Sequence, residues 1–365
     1  MGTPNYWDYL QLDTLLTLQN GLESEAELIP DELHFIITHQ VFELWFKLAL
    51  AELRHARDHL ATPEVPEEKI PYVVHHLRRV NRVLALLVSS FEVMETLTPQ
   101  DFLTFRDKLT PSSGFQSFQM RELEMLMGMK QDGRIRYGKT DALEHIRALA
   151  ESSPAGEMAW GRLKKAREEQ SLRSTLHEWL YRTPIQGSGP DDEGDEKAVA
   201  DFLASYLDAI SRQHEEQTER LIATGLGEPE SIRARFAGNY EQARKFLMAA
   251  DIPEEDRPRR RRIRAALVFI ESYRSLPLLA WPRLLIDTMV EFEEQMVLFR
   301  TRHARMVERV IGRRVGTGGS SGVDYLDKTT RVRIFTDLWS VRTILLPRHR
   351  TPPVHNTDFY GFATD

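Results

Sequence analysis

The chain has 365 residues, 41% hydrophobic and 28% charged, with no cysteine and a formal net charge of −7 from 48 Lys and Arg against 55 Asp and Glu. This is an ordinary globular composition that excludes disordered and collagen-like chains, and at roughly 150 residues per domain the length allows about two domains. The acidic balance argues against general nucleic-acid affinity, and the missing cysteine excludes disulfides, thiolate nucleophiles and thiolate-held zinc, iron–sulfur clusters or haem, leaving His, carboxylate, Tyr or Met to hold any metal.

No run of about 18 apolar residues exists, and the first residues lack the basic and apolar stretches of a signal peptide, so a cytoplasmic chain with no membrane partner is expected. Hydrophobic spacing is helical almost throughout, with neither a strand-and-turn series nor a repeat, which predicts an all-α fold. The first strong helix is predicted over 31–60, with Asp31 and Glu32 in its first turn after Pro30. A second spans 67–97 and stops before Pro99, and a third follows Pro111 through the Ser112–Gln116 turn to about 129. Short helices reach Leu180, and 184–196, with its run Asp191-Asp192-Glu193-Gly194-Asp195-Glu196, reads as a mobile acidic loop. Helices resume over 198–222, 259–275 and 282–314, and the tail 347–365 is expected to be irregular.

Three patterns carry possible chemistry. On the last long helix Leu285, Met289, Phe292, Met296, Phe299, His303, Met306 and Val310 make one apolar stripe at spacings of three and four. Spacing leaves two readings of His303 open: a core histidine satisfied by one hydrogen bond, or an axial ligand to a haem among apolar side chains. On the first helix Phe35, His39, Phe42 and Phe46 share a face, so His39 is either a tolerated member of an aromatic stripe or an acceptor or base facing a substrate N–H. Glu43 and Lys47 read as an exposed ion pair one turn apart. The segment 316–322, with four glycines, follows a helix and lacks the Gly-Lys-Ser/Thr ending of a phosphate loop; it is either a surface loop or an active-site lid. The basic run Arg257–Arg264 sits beside Glu254, Glu255 and Asp256 and reads as a solvated helix start. Glu52-x-x-His55 lacks the second copy a di-iron bundle needs, and adjacent His75 and His76 point about 100° apart on a helix.

Taken in order, several segments resemble the tryptophan 2,3-dioxygenase family across nearly the whole chain. They are Tyr6-Trp-Asp-Tyr9-Leu10, Phe35-Ile-Ile-Thr-His39-Gln-Val-Phe-Glu43-Leu-Trp45-Phe-Lys47, Phe105-Arg106-Asp, Pro111-Ser-Ser113-Gly-Phe-Gln116-Ser, Arg302-His303, and Gly316-Thr317-Gly-Gly-Ser-Ser-Gly322. Arg182-Thr183-Pro184 and Leu346-Pro347-Arg348-His349 are similar to the longer, animal-type branch. The resemblance implies a single helical-bundle domain over 1–365 with non-covalent haem b buried between helices and O2 as co-substrate. His303 would be the proximal iron ligand and His39 the distal histidine meeting the indole N–H. Arg106 would clamp the substrate carboxylate, and Thr317 would touch its amino and carboxylate groups. Phe35, Tyr6, Tyr9 and Leu10 would wall the indole, the last three donated by a neighbour in a homotetramer, with Ser113 beside the haem edge. The implied reaction is cleavage of the indole C2–C3 bond of L-tryptophan to N-formylkynurenine in the kynurenine route. The rivals are a same-family monooxygenase making a 2-oxindole, and a non-enzymatic helical binding protein using the Arg257–Arg264 run. Pro30 and His34 depart from the family pattern, the latter beside Phe35.

Overall fold

The computed structural model describes residues 5–21, 27–109, 116–129, 142–150, 153–316 and 322–361. Its elements in chain order are α1 (Tyr6–Leu10), α2 (Leu12–Leu15), α3 (Pro30–Leu60), α4 (Ile70–Met94), α5 (Pro99–Phe105), α6 (Phe118–Met127), α7 (Ala142–Ala150), α8 (Pro154–Glu168), α9 (Leu172–Arg182), α10 (Asp195–Ala223), α11 (Pro229–Leu247), α12 (Arg257–Ser272), α13 (Ala280–Ile311), α14 (Val323–Thr329), α15 (Thr336–Thr343) and α16 (Thr357–Tyr360). The fold is all-α; among the described residues the nearest thing to a strand is the isolated bridge between Ile185 and Ser188. None of the described helices is long and apolar enough to cross a membrane.

Local chemistry explains where the helices depart from the expected bounds. α4 ends at Met94, but Pro99 opens a new helix: Thr98 caps it, accepting from the Asp101 amide at 3.2 Å, and proline suits a first helical turn whose N–H has no partner. α6 begins only at Phe118 and is stopped by Gly128, whose φ of 108° suits a residue without Cβ and whose amide donates to Glu124 and Met125 carbonyls. α11, unforeseen, follows the Gly225-Leu226-Gly227 break with Pro229 in its first turn, and buries Ile232, Ala243 and Leu247. α10 starts three residues early because Asp195 and Glu196 occupy its first turn, where carboxylates offset the helix dipole.

The chain divides into two compact units. Unit 1 comprises Met1–Arg54, Arg78–Gln170 and Phe292–Val332; unit 2 comprises His55–Leu77, Ser171–Glu291 and Arg333–Asp365. In unit 1, α6 is buried on nearly all sides despite its charges. Glu122 is met by Arg54 at 2.6 Å and Arg162 at 2.7 Å, and Arg54 also holds Glu169 at 2.8 Å. Glu52 is taken by Arg79 at 2.6 Å, so the Glu52-x-x-His55 pattern serves an ion pair.

Unit 2 centres on α12, where every residue from Arg262 to Ser272 is buried. Arg262 donates to both Asp195 oxygens at 2.7 and 2.8 Å and to the Tyr181, Thr183 and Ser188 carbonyls. Arg264 is shared by Asp251 and Asp337 at 2.6 and 3.0 Å, Arg260 meets Asp337 at 3.1 Å, and Arg259 meets Glu178 at 2.5 Å. The arginine run is thus spent largely inside the fold, which removes the patch the binding-protein rival relied on. In segment 184–196, Ile185 and Ser188 exchange main-chain bonds at 2.9 and 3.0 Å, and Ser188 Oγ donates to Asp195. In the tail, Tyr360 is 2% exposed; its hydroxyl donates to the Pro184 carbonyl and accepts from the Gly187 amide.

Candidate active site

Unit 1 encloses a cavity of about 280 Å³. α3 contributes His39, Phe42, Glu43 and Phe46 at successive helical spacings; α4 gives Phe91 and Met94, and α5 gives Phe102. Met120, Arg121 and Glu124 come from α6, and Phe299, Arg300, His303, Met306, Val307 and Ile311 from α13. Arg106, Ser117, Gly316, Gly322 and Tyr325 complete much of the wall. The α13 stripe is buried as its spacing requires, with Leu285, Met289 and Phe292 at 0% exposure and Phe299 and Met306 at 7%, and Phe299, His303 and Met306 are its members that line the cavity.

The His303 ring stacks on Phe91 at 5.7 Å and 14° and lies 6.1 Å from Phe299. Among the described residues no hydrogen bond reaches it. Burial, with smaller contributions from His39 and Arg121, lowers its pKa to about 4, so it is a neutral imidazole with a lone pair to give. Among the described residues, the reading of a core histidine satisfied by one hydrogen bond therefore lacks its partner.

His39 is different. Its Nδ1 lies 2.8 Å from the Phe35 carbonyl, which can only accept, so Nδ1 carries the proton and Nε2 keeps its lone pair. The open part of the ring faces the cavity, and burial holds its pKa below the usual histidine value against the Phe35 carbonyl and the Glu43 carboxylate. Phe35 packs on the His39 ring at 4.0 Å and on Phe105 at 5.6 Å, backing the histidine rather than lining the cavity. Arg106 lines the cavity and donates through Nη2 to the Val315 carbonyl at 2.5 Å, using one of five N–H groups.

Of the other expected residues, Ser113 and Thr317 lie outside the described residues, as does the interior of the glycine-rich segment. Its two ends are described and line the cavity. At Gly322, with φ of 57°, an added Cβ would sit 3.0 Å from the Arg314 carbonyl, so glycine is needed there. Tyr6, Tyr9 and Leu10 are exposed at 70%, 79% and 41% on α1 and are not among the residues lining this chain's cavity.

Helical spacing does not reveal the polar part of the wall. Glu43 is not an exposed partner of Lys47: its carboxylate accepts from Ser117 Oγ and Gln119 Nε2, each at 2.7 Å, and lines the cavity. Glu124 is shared by Arg121 at 2.9 Å and Arg300 at 3.1 Å, and the buried Arg121 Nε has no partner among the described residues. The available signal was α6 itself, where charges alternate with Met120, Leu123 and Met127 too closely for all of them to reach solvent.

These features fit haem. A flat apolar group suits the aromatic and methionine walls, the neutral His303, with no hydrogen-bond partner among the described residues, could donate to iron, and Arg106, Arg121 and Arg300 against Glu43 and Glu124 leave positive charge for propionates.

A family model described as tryptophan 2,3-dioxygenase matches residues 1–345. A protein of Sorangium cellulosum named tryptophan 2,3-dioxygenase is 45% identical over 370 residues, covering 99% of this chain and 88% of its own. One from Ralstonia nicotianae named tryptophan 2,3-dioxygenase 2 is 44% identical, covering 100% and 99%. An animal relative from Anopheles gambiae, named tryptophan 2,3-dioxygenase, is 34% identical over 96% of this chain and 88% of its own. Matched over residues 1–345 by that family model and over nearly its whole length by these relatives, this chain belongs to the tryptophan 2,3-dioxygenase family.

Proposed function

We propose that the chain is a cytoplasmic enzyme cleaving the indole C2–C3 bond of L-tryptophan with O2 to give N-formylkynurenine, with non-covalent haem b as cofactor. The observation that carries this reading is the pair of neutral imidazoles on one aromatic cavity: His303 without a hydrogen-bond partner among the described residues, and His39 with its Nε2 lone pair free. His303 would hold the iron, and Arg121 and Arg300 would meet the propionates. When bound, the haem supplies the iron that activates O2 for addition to the indole.

The chain's own residues do the rest. Tryptophan is apolar at one end and zwitterionic at the other, so its site needs an aromatic box, a carboxylate clamp and one acceptor for the indole N–H. Phe42, Phe46 and Phe102 supply ring faces on the cavity, with Phe35 behind His39. Arg106 keeps guanidinium N–H groups beyond the one given to Val315, enough for a forked pair of charge-assisted bonds to the carboxylate. His39 Nε2 accepts from the indole nitrogen and fixes the ring's orientation; its lowered pKa keeps it neutral for that role at neutral pH, and no deprotonation of the indole is required. Tyr6, Tyr9 and Leu10 are apolar side chains left in solvent, which supports their donation to a neighbouring copy in a homotetramer. Ser113 and Thr317 keep the roles that the resemblance implies, and 1–365 acts as one catalytic domain.

The relatives' names support a dioxygenase over the 2-oxindole-forming monooxygenase. The test is anaerobic reduction of the haem-loaded protein with L-tryptophan, followed by labelled O2 and product mass. Gain of two labelled oxygen atoms is expected; gain of one transfers the chain to the monooxygenase reading.

A further inference from the structure

Glu43, Arg106, Arg121, Glu124 and Arg300 put charge on the wall of the unit 1 cavity. The two carboxylates among them are held in different ways. Glu124 lies between two guanidiniums, Arg121 at 2.9 Å and Arg300 at 3.1 Å. Glu43 meets uncharged donors: its Oε1 accepts from Ser117 Oγ and its Oε2 from Gln119 Nε2, each at 2.7 Å, and among the described residues no cation reaches it. Arg162 approaches the far side of the same network, 3.5 Å from Gln119 Oε1, but is committed to Glu122 at 2.7 Å. Lys47, one turn along α3, is exposed. Ser117 is the N-cap of α6 and gives its hydroxyl to Glu43 instead of to the helix, so the carboxylate sits where the α6 dipole favours negative charge. With both oxygens accepting, as an ionised carboxylate's do, the charge is stabilised by neutral groups and not cancelled.

We propose, resting on the haem reading, that Glu43 sets the charge of the site: it favours the ferric over the ferrous state of a haem held by His303 and opposes anionic ligands of the iron. The ferric state carries one more positive charge than the ferrous, so a fixed anion on a low-dielectric wall stabilises it more. Across roughly 10 Å, at an effective dielectric of about 20, one unit charge shifts such an equilibrium on the order of tenfold. Glu124 exerts little of this pull, because its two guanidiniums offset it. The charge of Glu43 also reaches His39, one turn back on α3, whose pKa it raises against the effect of burial. A haem biased in this way rests oxidised unless a one-electron reductant is present, and small anions compete poorly for its iron.

The test is a mediated redox titration of the haem-loaded protein, read by its spectrum, together with azide binding to the ferric form. Glu43→Gln keeps the side chain's size and an acceptor for Gln119 while removing the charge. It should raise the ferrous-to-ferric ratio at a fixed potential about tenfold, a midpoint about 59 mV higher for one electron, and tighten azide binding about tenfold. Glu43→Asp keeps the charge, and Ser117→Ala removes a donor but leaves the charge in place, so neither should raise the midpoint or the azide affinity. If Glu43→Gln retains too little haem, Glu43→Leu, neutral and apolar like the surrounding wall, carries the same two readings. A midpoint unmoved or lowered in the haem-loaded neutral variant overturns the proposal alone. An equal rise in Glu43→Asp or Ser117→Ala also overturns it, since bracing of α6 would then explain the effect. A parent that binds no haem overturns the haem reading and this proposal with it.

Discussion

Arg262 and Arg264 lie buried on α12 of unit 2, and every nitrogen of each guanidinium has a carboxylate or carbonyl partner. His303 lies on α13 in the apolar interior of unit 1, and among the described residues its ring has none. Burying a polar group without a hydrogen bond is costly, so evolution of a stable core favours the arrangement of unit 2. A half-buried imidazole that faces a cavity, with no partner among the described residues, is a group that a ligand can complete. The contrast separates ionisable groups that hold the fold from those that hold something else, although both sit on helices with the same apolar spacing.

The largest expected effect that sharpens this contrast is on the paired side. Asp195→Ala leaves Arg262 buried with only carbonyl partners, and should destabilise the protein by about 3–5 kcal/mol in denaturant unfolding while the haem spectrum of the folded fraction stays unchanged. On the cavity side, Arg106→Ala should leave haem binding and stability nearly intact but lower kcat/KM for tryptophan by about 100-fold, roughly 3 kcal/mol for two charge-assisted bonds. A variant that folds normally in the first case, or turns over normally in the second, would break the division.

A smaller effect comes from His177, whose pKa is lowered to about 4 by burial first and then by Arg260, which lies 3.0 Å from its Nε2. The unfolded chain takes up this proton near 6.5 and the folded chain only near 4. His177 therefore costs no stability above about pH 6.5, and stability falls as pH drops from there toward 4, by on the order of 1–2 kcal/mol once its partial exposure is allowed for. His177→Gln should flatten that limb of the stability–pH curve. An unchanged slope would show that burial and Arg260 do not hold the imidazole neutral against the Asp337 carboxylate.

Helical periodicity revealed the all-α fold, the α13 stripe and the α3 face because burial repeats at the helix period. His39 and His303 were visible as candidates for that reason alone, and the choice between core and ligand needed the resemblance and then the missing partner. Glu43 does not show its role in the sequence, because a pair one turn apart on a helix looks exposed until α6 brings Ser117 and Gln119 against it. Arg262 and Arg264 looked solvated for the same reason: their partners Asp195 and Asp337 are 67 and 73 residues away. Contacts made across the sequence leave no period to read. α11 is hard to see in the sequence although Ile232, Phe236, Tyr240, Ala243 and Leu247 carry the helix period, because its many charges lower the contrast between faces.

Whether His303 is the haem iron's ligand is read most directly from the haem spectrum of His303→Ala with and without added imidazole. If it is, the variant loses stable haem binding and recovers a histidine-like spectrum when imidazole fills the space. Haem retained by His303→Ala with the parent's spectrum would contradict it.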